Sequence, residues 1–335
     1  MLDLELCIFL PMTEGRGHSP HAGLHNRTVL FRAGNWVFAT YGPVMAAAHF
    51  VGFGVGAWYA AMQGVDPRGM LLFFSLMILP SALIGCRMAS LMLDWRDFLR
   101  SPVRTLLRPG FVLQGGILGG ALALIVYGIV AELEILLLLD AAAFAMPVSE
   151  AIGRLGCHVY GCCWGRPSGG FFGVRYTNPE SKVLRCAPDL HGVRLHPAPL
   201  YATAILVGLH AVFLTLLPHQ PFTGFFAAIY LLIHPLFRVF LESYRSDDRG
   251  RIRSRFTHTQ AYAGAMFLCG LGLLLWCSVN PSPVEIDLGY GYFDLMGNPA
   301  HVALLGVVAL MGFAAFGVHY KRVGTWLSSH DQTKR

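Results

Sequence analysis

Residues 133–168 read LEILLLLDAAAFAMPVSEAIGRLGCHVYGCCWGRPS, and this stretch decides the fold class. Its first half, Leu133–Ser149, is an apolar run that carries Asp140. Apolar runs of about 18 residues predict membrane-spanning helices, because a helix satisfies its own backbone hydrogen bonds in lipid. The second half holds three of the chain's eight cysteines, together with arginines and glycines. A candidate membrane helix is therefore followed directly by a polar, cysteine-rich segment.

The rest of the chain has the composition of a membrane protein. Of its 335 residues, 55% are hydrophobic and 13% are charged, whereas about a quarter of the residues in soluble domains are charged. Together with Leu133–Ser149, seven further apolar runs predict an all-α polytopic membrane protein of eight transmembrane helices. These runs are Val37–Met62, Gly69–Leu93, Gly110–Val130, Pro199–Leu217, Thr223–Leu241, Thr257–Val279 and Ala300–His319.

The polar segments divide the chain into three predicted parts. Residues 1–36 form an N-terminal arm that lacks the basic start and small-residue cleavage site of a signal peptide. Residues 37–280 form the membrane domain. Its small extramembrane head, at about 153–198, lies between helices four and five and contains the run FFGVRY, which predicts a strand. Residues 281–335 add a loop, the eighth helix and a basic tail.

Positive charge is concentrated on one side of the predicted membrane domain. The loops after helices one, three, five and seven hold one arginine and no lysine, whereas the opposite side includes YRSDDRGRIRSR with five arginines. The positive-inside rule places this basic side, which includes the head, in the cytoplasm. A net charge of +6 in such a chain favours contact with anionic lipid over nucleic acid, and no RNA-binding or helix-turn-helix motif is evident.

Ionisable side chains within apolar helices are costly and mark paired or functional positions. The candidates are Arg87, Asp140, Arg154, Arg238, Glu242 and Arg245. Arg238 and Glu242 lie four residues apart, so they share one helix face and can pair. This pair is either a neutralised structural contact or an arrangement in which Glu242 orients the Arg238 guanidinium toward a lipid phosphate.

The cysteines of the head allow three interpretations: a zinc site, a disulfide or a polar catalytic segment. Zinc would need four ligands, and the segment offers no C-x₂-C pair. A disulfide from Cys186 to Cys162 or Cys163 requires an oxidising compartment. We predict no metal and no other cofactor, and we interpret the loosely spaced His18, His21 and His25 as part of an exposed arm. The candidate zinc ligands are Cys157, Cys162, Cys163, Cys186, His191 and His196.

A colinear series of motifs resembles the prolipoprotein diacylglyceryl transferase family. Any one motif is weak, but the series is specific and covers about residues 37–280. In chain order the motifs are TYG (Tyr41, Gly42), GCR (Gly85, Arg87), QGGILGG (from Gln114), GRLGCHVYGCCWGRP (from Gly153), HPAPLY (from His196), FRVFLESYR (from Phe237) and THTQ (ending at Gln260).

The resemblance implies an activity and a site. The family transfers the diacylglyceryl group of phosphatidylglycerol to the lipobox cysteine of a lipoprotein precursor in the bacterial cytoplasmic (inner) membrane, forming a thioether and releasing glycerol phosphate. The catalytic residues implied here are Tyr41, Gln114, Arg154, Cys157, His158, Cys162, Arg238 and Glu242. The phosphatidylglycerol contacts implied are Arg87, Gly115, Gly116, Arg154, Gly165, His196 and Arg238.

The sequence departs from the family pattern where the acceptor thiol would be activated. Gln114 stands where the family has a histidine, and glutamine does not accept a proton near neutral pH. Cys157 and Tyr160 stand in place of asparagines, and Cys162 in place of a glutamate. His158, or a thiolate at Cys157 or Cys162, is then the candidate base.

Orientation is the second departure. The family presents its signature face outside the cytoplasm, whereas the arginine count places that face inside. We favour the family orientation, because arginines that bind phosphate also add to the charge count. Two alternative functions stay open: a related transferase with a non-lipoprotein acceptor, and a non-catalytic membrane protein that binds anionic lipid.

Overall fold

The computed structural model describes residues 23–107, 113–170, 173–246, 251–253 and 256–323. Within these ranges seven helices are long and apolar enough to cross a membrane, and α6 adds a shorter apolar helix, which confirms the all-α polytopic class. The helices are α1 (Tyr41–Ala61), α2 (Pro67–Phe73), α3 (Leu79–Leu93), α4 (Trp95–Arg100), α5 (Pro102–Leu107), α6 (Leu113–Val130), α7 (Ile135–Tyr160), α8 (Lys182–Cys186), α9 (Ala198–Leu216), α10 (Phe225–Glu242), α11 (His258–Val279), α12 (Tyr292–Met296) and α13 (Pro299–Gly317). A π-helical turn, Phe74–Ile78, joins α2 to α3 into one span.

Two predicted spans differ from the observed helices by four residues or more at one end. The first begins at Tyr41, because Trp36–Ala39 form a strand instead of the start of the helix. The fourth continues past Ser149 to Tyr160, so the first half of the cysteine-rich segment is helical. This helix ends where Gly161 adopts a left-handed conformation with φ 74°, which glycine reaches without a steric penalty. The head therefore begins at Gly161.

Short strands tie the two ends of the described chain together. Strands β1 (Val29–Ala33) and β2 (Trp36–Ala39) form an antiparallel hairpin. In the head, β3 (Val174–Arg175) pairs with β4 (Arg194–Leu195), so two residues of the strand predicted in FFGVRY are in a strand. Strands β5 (Arg251–Arg253) and β6 (Phe256–Thr257) form a second ribbon, and β7 (Val318–Tyr320) completes the first sheet in the order β1-β2-β7. The predicted N-terminal arm thus continues into a hairpin whose second strand, β2, pairs with the segment after the last helix.

The core of the bundle lies where four aromatic side chains from different helices meet. Tyr59 of α1, Phe144 of α7, Phe213 of α9 and Phe226 of α10 are buried and pack with ring centroids 5.0–6.1 Å apart. Aromatic pairs of this kind add to the gain from burial itself. The contact fixes α7 at the centre of the bundle.

The Asp140 side chain caps the start of a neighbouring helix, α10. Its carboxylate accepts hydrogen bonds from the backbone N–H groups of Gly224 (2.6 Å) and Ala227 (2.8 Å) at the start of α10, and from the Gln220 amide (2.9 Å). The first N–H groups of a helix have no partner within that helix, and its N-terminus favours negative charge. Asp140 of α7 therefore supplies the cap that α10 lacks in its own sequence.

The paired glycines of α6 allow close contact with α3. A Cβ atom at Gly115 would overlap the Gly85 carbonyl oxygen, and one at Gly119 would overlap the Ser81 carbonyl oxygen. Small residues at such positions let membrane helices approach backbone to backbone. The glycine-rich run of α6 is therefore a helix-packing surface.

We expect Gly115→Ala to destabilise the detergent-solubilised protein by about 1–3 kcal/mol, because the added methyl group must push α3 away from α6. Chemical unfolding followed by circular dichroism measures this. Gly272→Ala in α11 is the matched control, since nothing lies within 4 Å of the Cβ position there. Equal stability of the two variants would contradict the packing role.

Removal of the Asp140 carboxylate tests the cap. We expect Asp140→Ala to lower the stability by about 1–3 kcal/mol, because the buried N–H groups of Gly224 and Ala227 lose their acceptor. Asp140→Asn keeps one acceptor oxygen, so its stability should lie between those of the parent protein and Asp140→Ala. An Asp140→Ala protein as stable as the parent chain in the same unfolding assay would show that water or another group replaces the cap.

Candidate active site

Two arginines from different helices line one pocket in the membrane domain. Arg154 comes from α7 and Arg238 from α10, beside Glu150 and His234 of the same two helices. The apolar side of this pocket is formed by Ala202, Ile205, Leu206, Phe237 and Leu241. Its volume of about 20 Å³ is enough for roughly one water molecule. The lining side chains must therefore move before a phosphate group can enter.

Glu150 is the centre of the polar contacts in this pocket. Its Oε1 accepts from Arg154, with Nε at 3.2 Å and Nη2 closer, in an i,i+4 ion pair along α7. Its Oε2 lies 3.0 Å from His234 Nε2 on α10, and the Tyr230 hydroxyl also interacts with the carboxylate. The contacts hold Arg154 in one orientation and join α7 to α10.

Arg238 and Glu242 do not pair as expected. In the part of the chain that the structure describes, no ion pair joins them, and the Glu242 Oε2 atom is buried without a hydrogen-bond partner. Among the described residues Arg238 makes no hydrogen bond either, although its side chain lines the pocket. The arginine that forms an ion pair with a carboxylate is Arg154, and its partner is Glu150.

Three cysteines gather at the end of α7. The sulfur atoms of Cys157, Cys162 and Cys163 all lie within 4.8 Å of one another. The helix ends in a Schellman-type turn in which the Cys162 N–H donates to the Cys157 carbonyl at 3.1 Å, so Cys162 is folded back over the last turn. Cys163 then adopts φ 60°, the left-handed region that few non-glycine residues occupy.

Electrostatic surroundings distinguish Cys163 from its neighbours. Hydrogen bonds with Cys157 and Cys162, and then the positive charges of Arg245 and Arg154, hold the pKa of the Cys163 thiol well below its usual range. The Cys162 pKa is raised instead, mainly by its hydrogen bonds with the other two cysteines. The cluster therefore favours one thiolate stabilised by two thiols and two arginines.

Tyr41 of α1 borders the same cluster. Its ring packs against Gly156, where a Cβ atom would lie 2.6 Å from two ring carbons, and against Tyr160 at 5.4 Å. The Tyr41 hydroxyl also interacts with Cys157. Tyr41, Arg154, Cys157 and Cys162, four of the predicted catalytic residues, thus lie together at the head end of the bundle.

The segment after the cysteines is pinned to the end of α10. Arg166 N–H donates to the Tyr244 carbonyl at 2.9 Å, and its Nε donates to the Arg245 carbonyl at 3.0 Å. Gly165 lies against His196 so closely that a Cβ atom would overlap the His196 carbonyl. These contacts show that Gly165 allows close approach of the backbone. This approach brings the buried Arg245 beside the cysteines.

Several predicted site residues have protein partners away from the pocket. The Arg87 guanidinium donates to the carbonyls of Thr105 and Leu106, and a Cβ atom at Gly116 would lie 2.5 Å from Cys86 Sγ. Gly115 packs against α3 as described above. Gln114 is the second residue of α6, and its side chain lies outside the described residues.

The two predicted histidines also face other groups. The His158 ring lies 5.6 Å from the His25 ring, tilted by 49°, and the His158 carbonyl accepts a hydrogen bond from the Tyr176 hydroxyl. His25 is half-buried and lies 3.1 Å from the Arg175 carbonyl, so it is not an exposed arm residue; His18 and His21 lie outside the described residues. His196 contacts the Tyr201 hydroxyl at 3.2 Å.

No disulfide joins the seven cysteines in the described ranges, so the alternative of a link from Cys186 to Cys162 or Cys163 is not present in this structure. Of the six candidate zinc ligands, three cysteines meet in the cluster. His196 instead contacts Tyr201, and Cys186 ends α8 in the head.

Glu150 and His234 are site residues that sequence reasoning missed. A signal for each was present: Glu150 lies four residues before Arg154, and His234 lies four residues before Arg238, so each shares a helix face with its arginine. Each also sits in an otherwise apolar span, where ionisable groups are functional candidates.

Comparison with known proteins finds a matching family model and several similar proteins. The family model for prolipoprotein diacylglyceryl transferase matches residues 28–276. A phosphatidylglycerol–prolipoprotein diacylglyceryl transferase from Clostridium tetani is 29% identical over 172 residues, covering 51% of this chain and 66% of that protein. Proteins of the same name from Dehalococcoides mccartyi and Symbiobacterium thermophilum are 27% identical over 221 residues (66% and 82% covered) and 26% identical over 248 residues (72% and 89% covered).

The fold and the matched range define a multi-pass membrane enzyme of the transferase class. The chain belongs to the prolipoprotein diacylglyceryl transferase family.

Loss of the Glu150 carboxylate should lower the free energy of unfolding far more than loss of a surface ion pair. We expect Glu150→Ala to destabilise the protein by roughly 3–5 kcal/mol, because Arg154 is left charged and buried. Glu180→Ala is the control: it breaks the Arg32–Glu180 pair, whose side chains are 46% and 24% exposed, against 14% and 19% for Arg154 and Glu150. The surface pair should contribute less than about 1 kcal/mol. Equal effects in an unfolding titration would contradict a structural role for Glu150.

Proposed function

We propose that this protein transfers the diacylglyceryl group of phosphatidylglycerol to the cysteine thiol of a lipoprotein precursor in the bacterial cytoplasmic membrane. The observation that carries the proposal is the meeting of Arg154 and Arg238 in one pocket, with Arg154 braced by Glu150 and Arg238 without a hydrogen bond from the described protein residues. The family relationship supports the same reaction class.

The arginines suit a phosphate leaving group. A guanidinium presents several N–H donors in a planar fork and matches phosphate oxygens in two-point contacts. Charge develops on the phosphate oxygen as its bond to the glycerol carbon breaks, and donors already aimed at that charge lower the barrier. Glu150 and His234 act as positioning residues, because Glu150 pairs with Arg154 and His234 contacts Glu150 from α10.

The reaction exchanges one bond for another at a glycerol carbon. The acceptor sulfur, as a thiolate, attacks this carbon and forms the thioether C–S bond. The C–O bond to phosphate breaks, and its electron pair leaves on the phosphate oxygen of glycerol phosphate. Arg154 and Arg238 stabilise that oxygen, and the thiol proton must be removed before the attack.

The outer surface of α3 and α6 supports contact with membrane lipid. Helices α3 and α6 pack tightly on each other and present exposed apolar side chains, including Ile84, Met88, Leu118 and Leu122. Apolar side chains on this face suit contact with lipid chains. The precursor would approach from the head side, next to the cysteine cluster.

The membrane orientation follows the family in this proposal, with the head outside the cytoplasm. The segment after α11 lies at the opposite end of the bundle, since the Asp287 N–H donates to the Met62 carbonyl at the end of α1. A reporter fused after Val279 should therefore give a cytoplasmic signal. An external signal would show the inverted orientation that the arginine count favours, and with it the alternative of a non-lipoprotein acceptor.

Replacement of Arg238 is the sharpest test of the phosphate pocket. We expect Arg238→Ala to lower diacylglyceryl transfer by roughly 100-fold or more, because one donor group to the developing charge is lost. The variant should fold normally, since Arg238 makes no hydrogen bond among the described residues. Arg238→Lys keeps the charge without the planar fork and should retain part of the activity.

The assay is mass spectrometry of a precursor protein in cells depleted of their own enzyme. Arg68→Ala, at the opposite end of the bundle, is the matched control. Full activity of Arg238→Ala would overturn the proposed phosphate site. Phosphatidylglycerol bound by the parent protein but never converted would instead support the non-catalytic alternative.

A further inference from the structure

The proposed reaction needs a thiolate acceptor, and the family's candidate base is missing here. Gln114 occupies the histidine position. His158 faces His25 and Tyr176 in the head instead of the pocket. The groups that do lie beside Arg154 at the head end of α7 are the three cysteine sulfurs.

The sulfur cluster has the dimensions of a metal site. Its three sulfur atoms lie within 4.8 Å of one another. Zinc–thiolate bonds are about 2.3 Å long, so three thiolates on one zinc ion lie roughly 3.8–4.0 Å apart. Rotation of the cysteine side chains by a small amount closes that difference. Four residues separate Cys157 from Cys162, which also agrees with the spacing of zinc ligands in proteins.

We propose that Cys157, Cys162 and Cys163 bind one Zn²⁺ ion as three thiolates and that the fourth coordination position receives the acceptor cysteine of the precursor. Three protein ligands with one open position are typical of catalytic zinc, whereas structural zinc has four protein ligands. This inference rests on the proposed function, since it assigns the means by which the acceptor thiol of that reaction is activated.

Zinc would replace a general base. A thiol that coordinates zinc is deprotonated on binding, and its proton passes to water or to a zinc-bound hydroxide. The zinc-bound sulfur then attacks the glycerol carbon, the C–O bond to phosphate breaks, and glycerol phosphate leaves with the electron pair. The thioether product carries no charge and is a weaker ligand than a thiolate, so it leaves the zinc ion.

The local charges favour this complex. Zinc with three thiolates carries a net charge of −1, and a fourth thiolate makes it −2. The guanidinium groups of Arg154 and Arg245 both lie close enough to act electrostatically on Cys163. Arg154 also lines the pocket assigned to the phosphate, so the acceptor sulfur and the leaving group would both lie near the same guanidinium.

Metal content tests the site without any assay of activity. The full-length protein, purified with a reductant and Zn²⁺ and then dialysed, should contain about one zinc per chain by mass spectrometry of the metal. The triple variant Cys157→Ser, Cys162→Ser, Cys163→Ser should contain close to none. Cys86→Ser and Cys269→Ser, at described cysteines outside the cluster, should keep the metal. A parent protein with no more zinc than the triple variant would overturn the proposal.

X-ray absorption at the zinc edge tests the open position. The resting protein should show three sulfur neighbours at about 2.3 Å and one lighter atom. A peptide with a lipobox cysteine should raise the count to four sulfurs, and the same peptide with serine should not. An unchanged count with the cysteine peptide would contradict acceptor binding at the metal.

Transfer measured before and after zinc removal separates this inference from the proposed function. Chelation of the parent protein should lower thioether formation by about 100-fold or more, and Zn²⁺ but not Mg²⁺ should restore it. Transfer that persists in metal-free protein would overturn the zinc site and leave the proposed function standing. A fourth sulfur at the metal with no thioether product would support the zinc site and overturn the proposed function.

Discussion

The carboxylate of Glu150 is the interaction on which the arrangement of the site depends. It pairs with Arg154 on its own helix and meets His234 on α10 at 3.0 Å, in surroundings that water reaches poorly. Such a group is costly to bury, and it is still more costly to leave its arginine alone. Asp140, three turns earlier on α7, caps the start of α10. Two acidic residues of one helix therefore set the register of its neighbour, and that register brings Arg238 to Arg154.

The end of α7 shows how a local change can alter chemistry on an unchanged fold. A Schellman-type turn brings positions 157, 162 and 163 together. Where the family pattern has amide and carboxylate groups, this chain has thiols at Cys157 and Cys162, and Cys163 is their neighbour. A base accepts a proton directly, whereas a thiolate cluster can hold a metal that lowers the pKa of an incoming thiol. The cysteine departures from the pattern therefore belong together, because they lie at one point in the fold.

Membrane packing accounts for residues whose motifs suggested ligand contacts. Gly115 and Gly116 are close to α3, and Arg87 donates to backbone carbonyls in α5. In a bilayer, close approach of helices and satisfaction of carbonyls need small residues and donors at fixed places. Those needs produce the same glycine and arginine motifs as a binding site, so a motif alone does not distinguish the two roles.

The amino-acid sequence by itself determined the membrane class, nearly all the helices, and the arginines Arg154 and Arg238, because long apolar runs and rare charges within them are local properties. Only the tertiary structure decided which side chains the arginines contact. Spacing of four residues predicted a pair between Arg238 and Glu242, yet the carboxylate that braces an arginine is Glu150, with His234 reaching it from another helix. Helix periodicity says which residues share a face, but the rotation and register of α7 against α10 depend on packing and capping across the bundle. For the same reason the meeting of three sulfurs became visible only once the path of the chain beyond α7 was known.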